Sequence, residues 1–138
     1  MTRRLYGACT MSELVLVWDS NFVEIENQLP TFADVVERIS LLDGVGSTLV
    51  TLYRGQAHFA CGGSAKTGLV VYATFDSAVF WQLVSSREST AGETTVVAGG
   101  QTGAYSANHV VDLVAATSAA TAFFKAGILA TDQAWEKQ

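Results

Sequence analysis

The chain is short of the residues on which most metal and nucleophile chemistry depends. Its 138 residues include two cysteines, two histidines and one proline. Cys9 and Cys61 do not have CxxC spacing, and the chain has only two histidines, which argues against a zinc site, so we predict no metal and no other cofactor. Cys61 sits among small and apolar residues, which favours a buried core residue over a nucleophile.

Long apolar runs and clusters of positive charge are also missing. No stretch approaches the roughly 18 apolar residues that a membrane-spanning helix needs. The start MTRRLYGACT lacks the apolar segment of a secretory signal, so we expect a cytoplasmic protein with no membrane partner. The formal net charge of −5 argues against direct binding of nucleic acid, which requires clustered Lys and Arg. An acidic domain suits a basic partner, although acidity also simply keeps proteins soluble.

What the chain does contain is the composition of a globular domain. Apolar residues make up 49% of it and charged residues 15%, which is enough for one hydrophobic core. The hydrophobic pattern becomes regular only after Met11. We therefore expect residues 1–11 to be a flexible N-terminal extension and residues 12–138 to form a single domain.

The first regular part of the sequence predicts a strand hairpin followed by a helix. The runs ELVLVWD (13–19) and NFVEIEN (21–27) are strand-like, and the residues between them favour a turn. The segment PTFADVVERISLLDGVG then has apolar residues at helical spacing. Thr31 is the expected N-cap of this helix, and Gly44 or Gly46 is its expected end.

The remainder predicts a strand meander and a second helix. Short, turn-rich links make consecutive strands antiparallel, since a parallel crossover needs a dozen or more residues. Asp112 is the expected N-cap of the second helix, and Gly127 is its expected C-terminal residue. The fold class that follows is α+β, an antiparallel meander sheet of five to seven strands with two helices packed on one face. The meander runs are residues 47–55, 56–63, 67–75, 78–86 and 93–100.

The stretch VVAGGQTGAYSANHVVD (96–112) raises the question of a phosphate-binding loop, because strand, glycines and helix follow one another. A P-loop needs Lys and then Ser or Thr after its last glycine, whereas Gly103 is followed by Ala-Tyr-Ser. Gly103 also lies well before the expected helix start at Asp112, unlike the glycines of a dinucleotide-binding turn. We therefore predict a glycine-rich loop at a strand end that presents Tyr105.

No pattern marks a catalytic site. His58 lies in a strand-like run and His109 precedes the second helix, but GxSxG is absent and nothing indicates a nucleophile beside either histidine. We predict no catalytic residues. Large aromatics stand beside acids or other aromatics at Trp18, Trp81 and Trp135, and such residues are typical both of interfaces and of small cores.

The C-terminal half resembles a known family. The order GLVVYATF, AVFWQLVSS, TTVVAGGQTGAYSANHVV, DLVAATSAATAFFKAG and a terminal AWE is similar to the first-numbered immunity protein family of bacterial polymorphic-toxin systems, in its actinobacterial form. The resemblance covers roughly residues 67–138. Many relatives carry a proline after the aromatic of the glycine loop, which this chain lacks. The matching residues are Gly68, Trp81, Gly103, Tyr105, Ala120, Phe124, Gly127 and Trp135.

The resemblance implies a non-catalytic protein that binds a cognate toxin domain and blocks it. Toxins paired with this family are often nucleic-acid deaminases, whose basic active sites an acidic inhibitor complements. We expect the contact surface on the sheet face that the helices leave uncovered, together with loops. The candidate contact residues are Trp18, Asp19, Glu24, Glu26, Asp76, Glu88, Glu93 and Tyr105.

Two other classes of function stay open at this point. The first is a small-molecule-binding or enzymatic α+β domain, with an apolar pocket between sheet and helices that His58 or His109 would line. The second is a structural or assembly subunit. A bound metabolite would favour the first, and self-association the second.

Overall fold

The computed structural model describes residues 14–85 and 92–138. The predicted extension, residues 1–11, and the candidate contact residue Glu88 lie outside the described residues. A short 3-10 turn, Ala107–His109, precedes the second helix. In chain order the elements are β1 (Leu14–Ser20), β2 (Val23–Asn27), α1 (Phe32–Ser40), β3 (Leu49–Arg54), β4 (Ala57–Ser64), β5 (Gly68–Thr74), β6 (Phe80–Val84), β7 (Glu93–Ala98), β8 (Gln101–Ser106), α2 (Leu113–Ala126) and β9 (Ala134–Lys137).

The main sheet has seven antiparallel strands in the order β2-β1-β3-β4-β5-β6-β9. Strands β3 to β6 pair consecutively as a meander, and β1 lies between β2 and β3. The predicted α+β class and the sheet of five to seven strands are confirmed.

One face of the sheet packs against both helices and forms the core. The inner face of α2 consists of the small residues Ala116, Ala119 and Ala120, which let the helix lie close to the sheet. Phe123 of α2 and Phe59 of β4 have ring centroids 5.8 Å apart. The sheet residues of the core are Leu16, Val50, Leu52, Phe59, Cys61, Leu69, Val71, Ala73 and Leu83.

The predicted caps of both helices are confirmed. Thr31 Oγ1 accepts a hydrogen bond from the Asp34 N–H at 3.1 Å, and the Asp34 carboxylate accepts from the Thr31 N–H at 2.9 Å. This reciprocal pair is a capping box. Asp112 accepts from the Ala115 N–H at 2.9 Å. Gly127 ends α2 with a left-handed φ of +69°, which a glycine adopts without strain.

The predicted end of α1 is wrong by several residues. The helix ends at Ser40, and Leu41 is its C-cap residue. The cause is Asp43, whose carboxylate accepts hydrogen bonds from the N–H groups of Val45, Gly46 and Ser47 at 2.9, 3.0 and 3.0 Å. These bonds build a separate loop and leave the glycines outside the helix.

The predicted glycine loop is a β-hairpin, which also corrects the predicted meander. β7 pairs with β8 in a separate two-stranded sheet, and the last strand of the main sheet is β9, which pairs with β6. Gly99 and Gly100 connect β7 and β8 with φ values of +64° and +78°. A two-residue hairpin turn requires such positive φ values, and glycine supplies them at little cost.

The β7–β8 hairpin lies against the end of β4, on the sheet face that the helices leave uncovered. Gly62 of β4 has no side chain at the point of contact, and a Cβ added there would stand 2.6 Å from the Cβ of Ala98. The hairpin therefore covers part of the face on which the sequence placed the contact surface.

Replacing Gly62 by alanine is expected to lower the free energy of unfolding by about 1–3 kcal/mol, because the new methyl group overlaps Ala98 and forces the hairpin away. Urea unfolding measures the change. Gly100→Ala is the control. Gly100 lies in the turn of the β7–β8 hairpin with open space around its Cβ position, so the substitution costs only the strain of a positive φ. Equal or greater destabilisation by Gly100→Ala would contradict this account of the contact.

Candidate functional site

Asp19 is held inside the fold at the end of β1. Its carboxylate accepts hydrogen bonds from the N–H groups of Thr48 and Leu49, at 2.7 and 2.9 Å, and from Thr48 Oγ1 at 2.5 Å. Thr48 Oγ1 in turn accepts from the Gly100 N–H at 2.9 Å. Asp19 thus joins β1 to the start of β3 and, through buried Thr48, to the β7–β8 turn.

Trp18 faces the opposite way, toward α1. It is half-buried and packs against the core, with the guanidinium carbon of Arg38 4.6 Å from the centre of its ring. This geometry is that of a cation–π contact. The indole Nε1 is buried and finds no acceptor among the described residues. Trp18 therefore lies on the helix-covered side of the sheet and not on the uncovered face where the sequence placed it.

Glu24 and Glu26 lie on β2, an edge strand of the main sheet. They stand opposite Asp19 and Val17 of β1, so they share the face that the helices leave uncovered. Glu24 is exposed, and Glu26 accepts a hydrogen bond from Gln28 Nε2 at 3.3 Å. Within the described ranges no strand pairs with the outer side of β2. The two glutamates thus form an acidic strand edge, as their spacing predicts.

Asp76 shapes the turn between β5 and β6. Its Oδ1 accepts hydrogen bonds from the N–H groups of Ala78 and Val79 at 2.9 and 3.0 Å. These bonds, led by the one from Val79, lower the pKa of the Asp76 carboxyl. The group is therefore ionised at neutral pH and remains exposed, but one oxygen is engaged by the turn.

Glu93 and Tyr105 belong to the β7–β8 hairpin. Glu93 is exposed at the start of β7. Tyr105 is half-buried and stands opposite Thr94, so it shares the side of the hairpin on which Val96 is buried. Its ring lies over Gly103, where a Cβ would be 3.1 Å from the ring carbon Cε1. Tyr105 is thus a strand residue turned toward the main sheet, and not the tip of a loop.

His58 is surrounded by aromatic rings on the uncovered face of the sheet. The ring centroids of Tyr53, Tyr72 and Phe80 lie 5.4, 6.0 and 6.1 Å from that of His58. Burial lowers the pKa of His58, which favours the neutral imidazole at pH 7. Cys61 is fully buried, and burial raises the pKa of its thiol, so the reactive thiolate is strongly disfavoured.

The other histidine and the last tryptophan hold the C-terminal strand. His109 Nε2 and Glu136 Oε1 are 2.6 Å apart, which ties the 3-10 turn to β9. Trp135 Nε1 donates to the Ala130 carbonyl at 3.2 Å. Across residues 14–85 and 92–138, no three His, Cys, Asp or Glu side chains form a group that could hold a metal ion.

A pocket of about 200 Å³ lies where α1 meets β1 and β2. Its lining mixes charged, polar and apolar groups, whereas the small-molecule alternative expects an apolar pocket between sheet and helices. Asn27 Nδ2 donates to the Asp34 carboxylate across it at 3.3 Å. The lining residues are Leu16, Trp18, Asn27, Asp34, Glu37 and Arg38.

The pocket, on the helix-covered side of the sheet, and the two glutamates of β2, on the other side, meet at the edge of the sheet in a region that we call the acidic corner. Sequence reasoning found only part of it, because Asp34, Glu37 and Arg38 read as the solvent face of α1. Their spacing of three and four residues puts them on one side of the helix, but only the packing of α1 on the sheet brings Arg38 to Trp18 of β1 and Asp34 to Asn27 of β2. The acidic corner consists of Trp18, Glu24, Glu26, Asn27, Asp34, Glu37 and Arg38.

The described fold is thus a small α+β domain whose histidines and buried cysteine serve structural contacts and whose distinctive surface is acidic. A family model for the immunity protein Imm1 matches residues 24–137, and the chain belongs to this family. The match confirms the resemblance of the C-terminal half and extends it back to β2. No curated protein shows significant similarity to the chain. None of the described helices is long and apolar enough to cross a membrane.

Proposed function

We propose that this protein neutralises a cognate bacterial toxin by binding its toxic domain, without catalysing a reaction. The observation that carries the proposal is the match to the immunity protein Imm1 over residues 24–137, which includes every described element except β1 and the first residue of β2. An immunity protein acts by protecting its host, and tight binding of the toxin is the simplest means of protection that a domain of this kind offers.

The arrangement of the potential reactive groups supports a role without catalysis. General bases and nucleophiles must reach a substrate and each other within hydrogen-bond distance. His58 instead lies against three aromatic rings, Cys61 is fully buried, and His109 contacts Glu136. Each of these groups has a place in the fold that explains its presence.

We further propose that the toxin is basic and acts on nucleic acid, as a deaminase does. An enzyme that binds a polynucleotide needs a cationic surface around its active site. The formal net charge of −5 on this protein complements such a surface. Charge complementarity speeds association and suppresses wrong partners, which suits an inhibitor that must act before the toxin does.

Binding to the toxin domain encoded beside this protein's gene is expected to be tight and to depend on salt. Isothermal titration at about 0.05 M and about 0.5 M salt should show an affinity at least roughly tenfold weaker at the higher concentration, because salt screens exposed charges. A non-cognate toxin domain of similar charge is the control and should bind far more weakly. Failure of the cognate domain to form a complex at either salt concentration would overturn the proposal.

A further inference from the structure

The negative charge of the protein is concentrated in one segment. Residues 14–53 contain six carboxylates and a single cation, Arg38, so this segment alone carries the full formal net charge of −5. Asp19 and Asp43 are engaged by backbone N–H groups within the fold, and Asp34 accepts hydrogen bonds from the Thr31 N–H and from Asn27 Nδ2. The carboxylates of Glu24, Glu26, Asp34 and Glu37 all belong to the acidic corner.

Exposed apolar side chains are concentrated in the same segment. The N–H of Asn21 donates to the Gly46 carbonyl at 2.7 Å, which holds the β1–β2 turn beside the loop that follows α1. Exposed apolar side chains that stand close together are typical of interaction sites, and Phe22, Val23 and Ile25 are neighbours at the start of β2. Among the described residues, six of the nine exposed large apolar side chains are here, namely Phe22, Val23, Ile25, Leu29, Leu41 and Val45.

Phe22 has a positive φ angle, a backbone conformation that is unfavourable for a bulky residue. It is the second residue of the two-residue β1–β2 turn, with φ of +71° and 89% of its surface exposed. Such turns prefer glycine at this position, because a bulky side chain at positive φ is strained. An aromatic that is both strained and exposed contributes little to the core, which favours a role in contact with another molecule.

The outer edge of β2 offers main-chain groups to a partner. Extended segments commonly add to such an edge through backbone hydrogen bonds. A second copy of this chain is a poor occupant, because antiparallel pairing of two β2 edges would bring the glutamates of both copies together, and like charges across a strand pair are destabilising. A segment with basic side chains would meet Glu24 favourably instead.

The pocket beside α1 fits a cationic side chain. A hydrogen bond from the Thr31 N–H lowers the pKa of the Asp34 carboxyl, which is therefore ionised at neutral pH. Glu37 adds a second carboxylate, so the pocket keeps a net negative charge although Arg38 stacks on Trp18 there, and Trp18 supplies apolar surface. Lys and Arg pack their stems on such surface while the charged head binds a carboxylate.

We propose that the acidic corner is the surface that docks the toxin, through an extended basic segment added along β2. The segment packs apolar side chains on Phe22 and Ile25 and places one Lys or Arg side chain beside Glu37. This inference rests on the proposed immunity function and names the surface that performs it. It places the contact at α1 and β2 and not at the β7–β8 hairpin, where Glu93 and Tyr105 were expected to act.

The test compares charge reversals at the corner with matched reversals elsewhere. The affinity of the cognate toxin domain for the double variant Glu24→Lys/Glu37→Lys should fall at least about 100-fold, since attraction becomes repulsion at two points of the contact. The double variant Glu93→Lys/Asp132→Lys is the matched control, because it changes the net charge by the same amount and both residues are exposed and lie outside the corner. Its affinity should stay within about threefold of wild type. Melting temperatures confirm that every variant is folded.

The variant Phe22→Gly tests the contribution of Phe22 to toxin binding separately from its contribution to stability. It removes an exposed side chain and relieves a positive φ, so its melting temperature should equal or exceed that of wild type. Its affinity for the toxin domain should nevertheless fall at least roughly tenfold, as expected when an aromatic interface residue is lost. A residue with only a structural role would not show this combination.

The outcomes distinguish the inference from the proposed function. If the wild-type protein forms no complex with the toxin domain, the proposed function fails and the inference fails with it. If wild type binds and the corner variants bind equally well, the corner is not the docking surface, although the immunity function stands. An equal loss of affinity in Glu93→Lys/Asp132→Lys would show a general effect of net charge and would also overturn the inference.

Discussion

Replacing Phe123 by alanine is expected to lower the free energy of unfolding by about 3–5 kcal/mol, the range typical of a buried phenylalanine that leaves a cavity. Phe123 is 1% exposed, and its ring lies 5.8 Å from that of Phe59 and 6.3 Å from that of Phe75. The alanines on the inner face of α2 are too small to fill the space that the ring would leave. Urea and thermal unfolding measure the loss.

Phe124→Ala is the matched control for that variant. Phe124 is the next residue of α2 and is half-buried, with its ring 5.6 Å from that of Phe32. Its truncation should cost less than about 2 kcal/mol, because less apolar surface is removed from contact. Equal destabilisation by the two variants would contradict the placement of Phe123 at the centre of the core.

Replacing Asp19 by alanine is expected to lower the free energy of unfolding by about 3 kcal/mol, because it removes three partly buried hydrogen bonds to a charged acceptor, which are among the stronger ones. The variant leaves the N–H groups of Thr48 and Leu49 without their acceptor. It also frees Thr48 Oγ1, which the Gly100 N–H contacts. Hydrogen exchange at Gly100 should therefore accelerate along with the loss measured in urea.

Glu24→Ala is the control for Asp19, since the two residues stand directly opposite each other on β1 and β2. Glu24 is exposed, so its truncation should change stability by no more than about 0.5 kcal/mol. The carboxylate of Asp19 supports the fold, whereas that of Glu24 is available to a partner. If both variants lose the same stability, the assignment of these different roles is wrong.

The elements that the sequence predicts well are those governed by neighbouring residues. The caps at Thr31, Asp112 and Gly127 depend on side chains within a few positions, and the caps form as predicted. The predicted end of α1 at Gly44 or Gly46 is wrong, because the hydrogen bonds of Asp43 place both glycines in a separate loop. Local rules thus determine where helices begin more reliably than where competing turns end them.

Which sheet the strands β7, β8 and β9 join depends on tertiary contacts that no local sequence pattern predicts. In the sequence, β7 has the pattern of one more strand of the meander. In the structure it forms a separate hairpin with β8, because of its packing on Gly62 and the turn at Gly99 and Gly100. The pair of glycines was an available hairpin signal. β9 has only four residues, Ala134–Lys137, and too little alternation to predict.

Only the β2 part of the acidic corner could be predicted from the sequence. The alternation of Glu24 and Glu26 marks an exposed strand edge, and β2 is such an edge. The exposed face of α1 was equally visible, but its position beside β2 is a consequence of tertiary packing. The structural role of Asp19 could not be predicted either. Nothing in its neighbouring sequence indicates that the N–H groups of Thr48 and Leu49 donate hydrogen bonds to it.

Protection of growing cells from the toxin is the most direct test of the central claim. Cells that express the cognate toxin domain should grow when they also express this protein at a matched level, and should stop growing without it. The folded variant Glu24→Lys/Glu37→Lys should protect poorly, whereas Glu93→Lys should protect as wild type does. Growth arrest that is equally complete with and without the wild-type protein would contradict the immunity function.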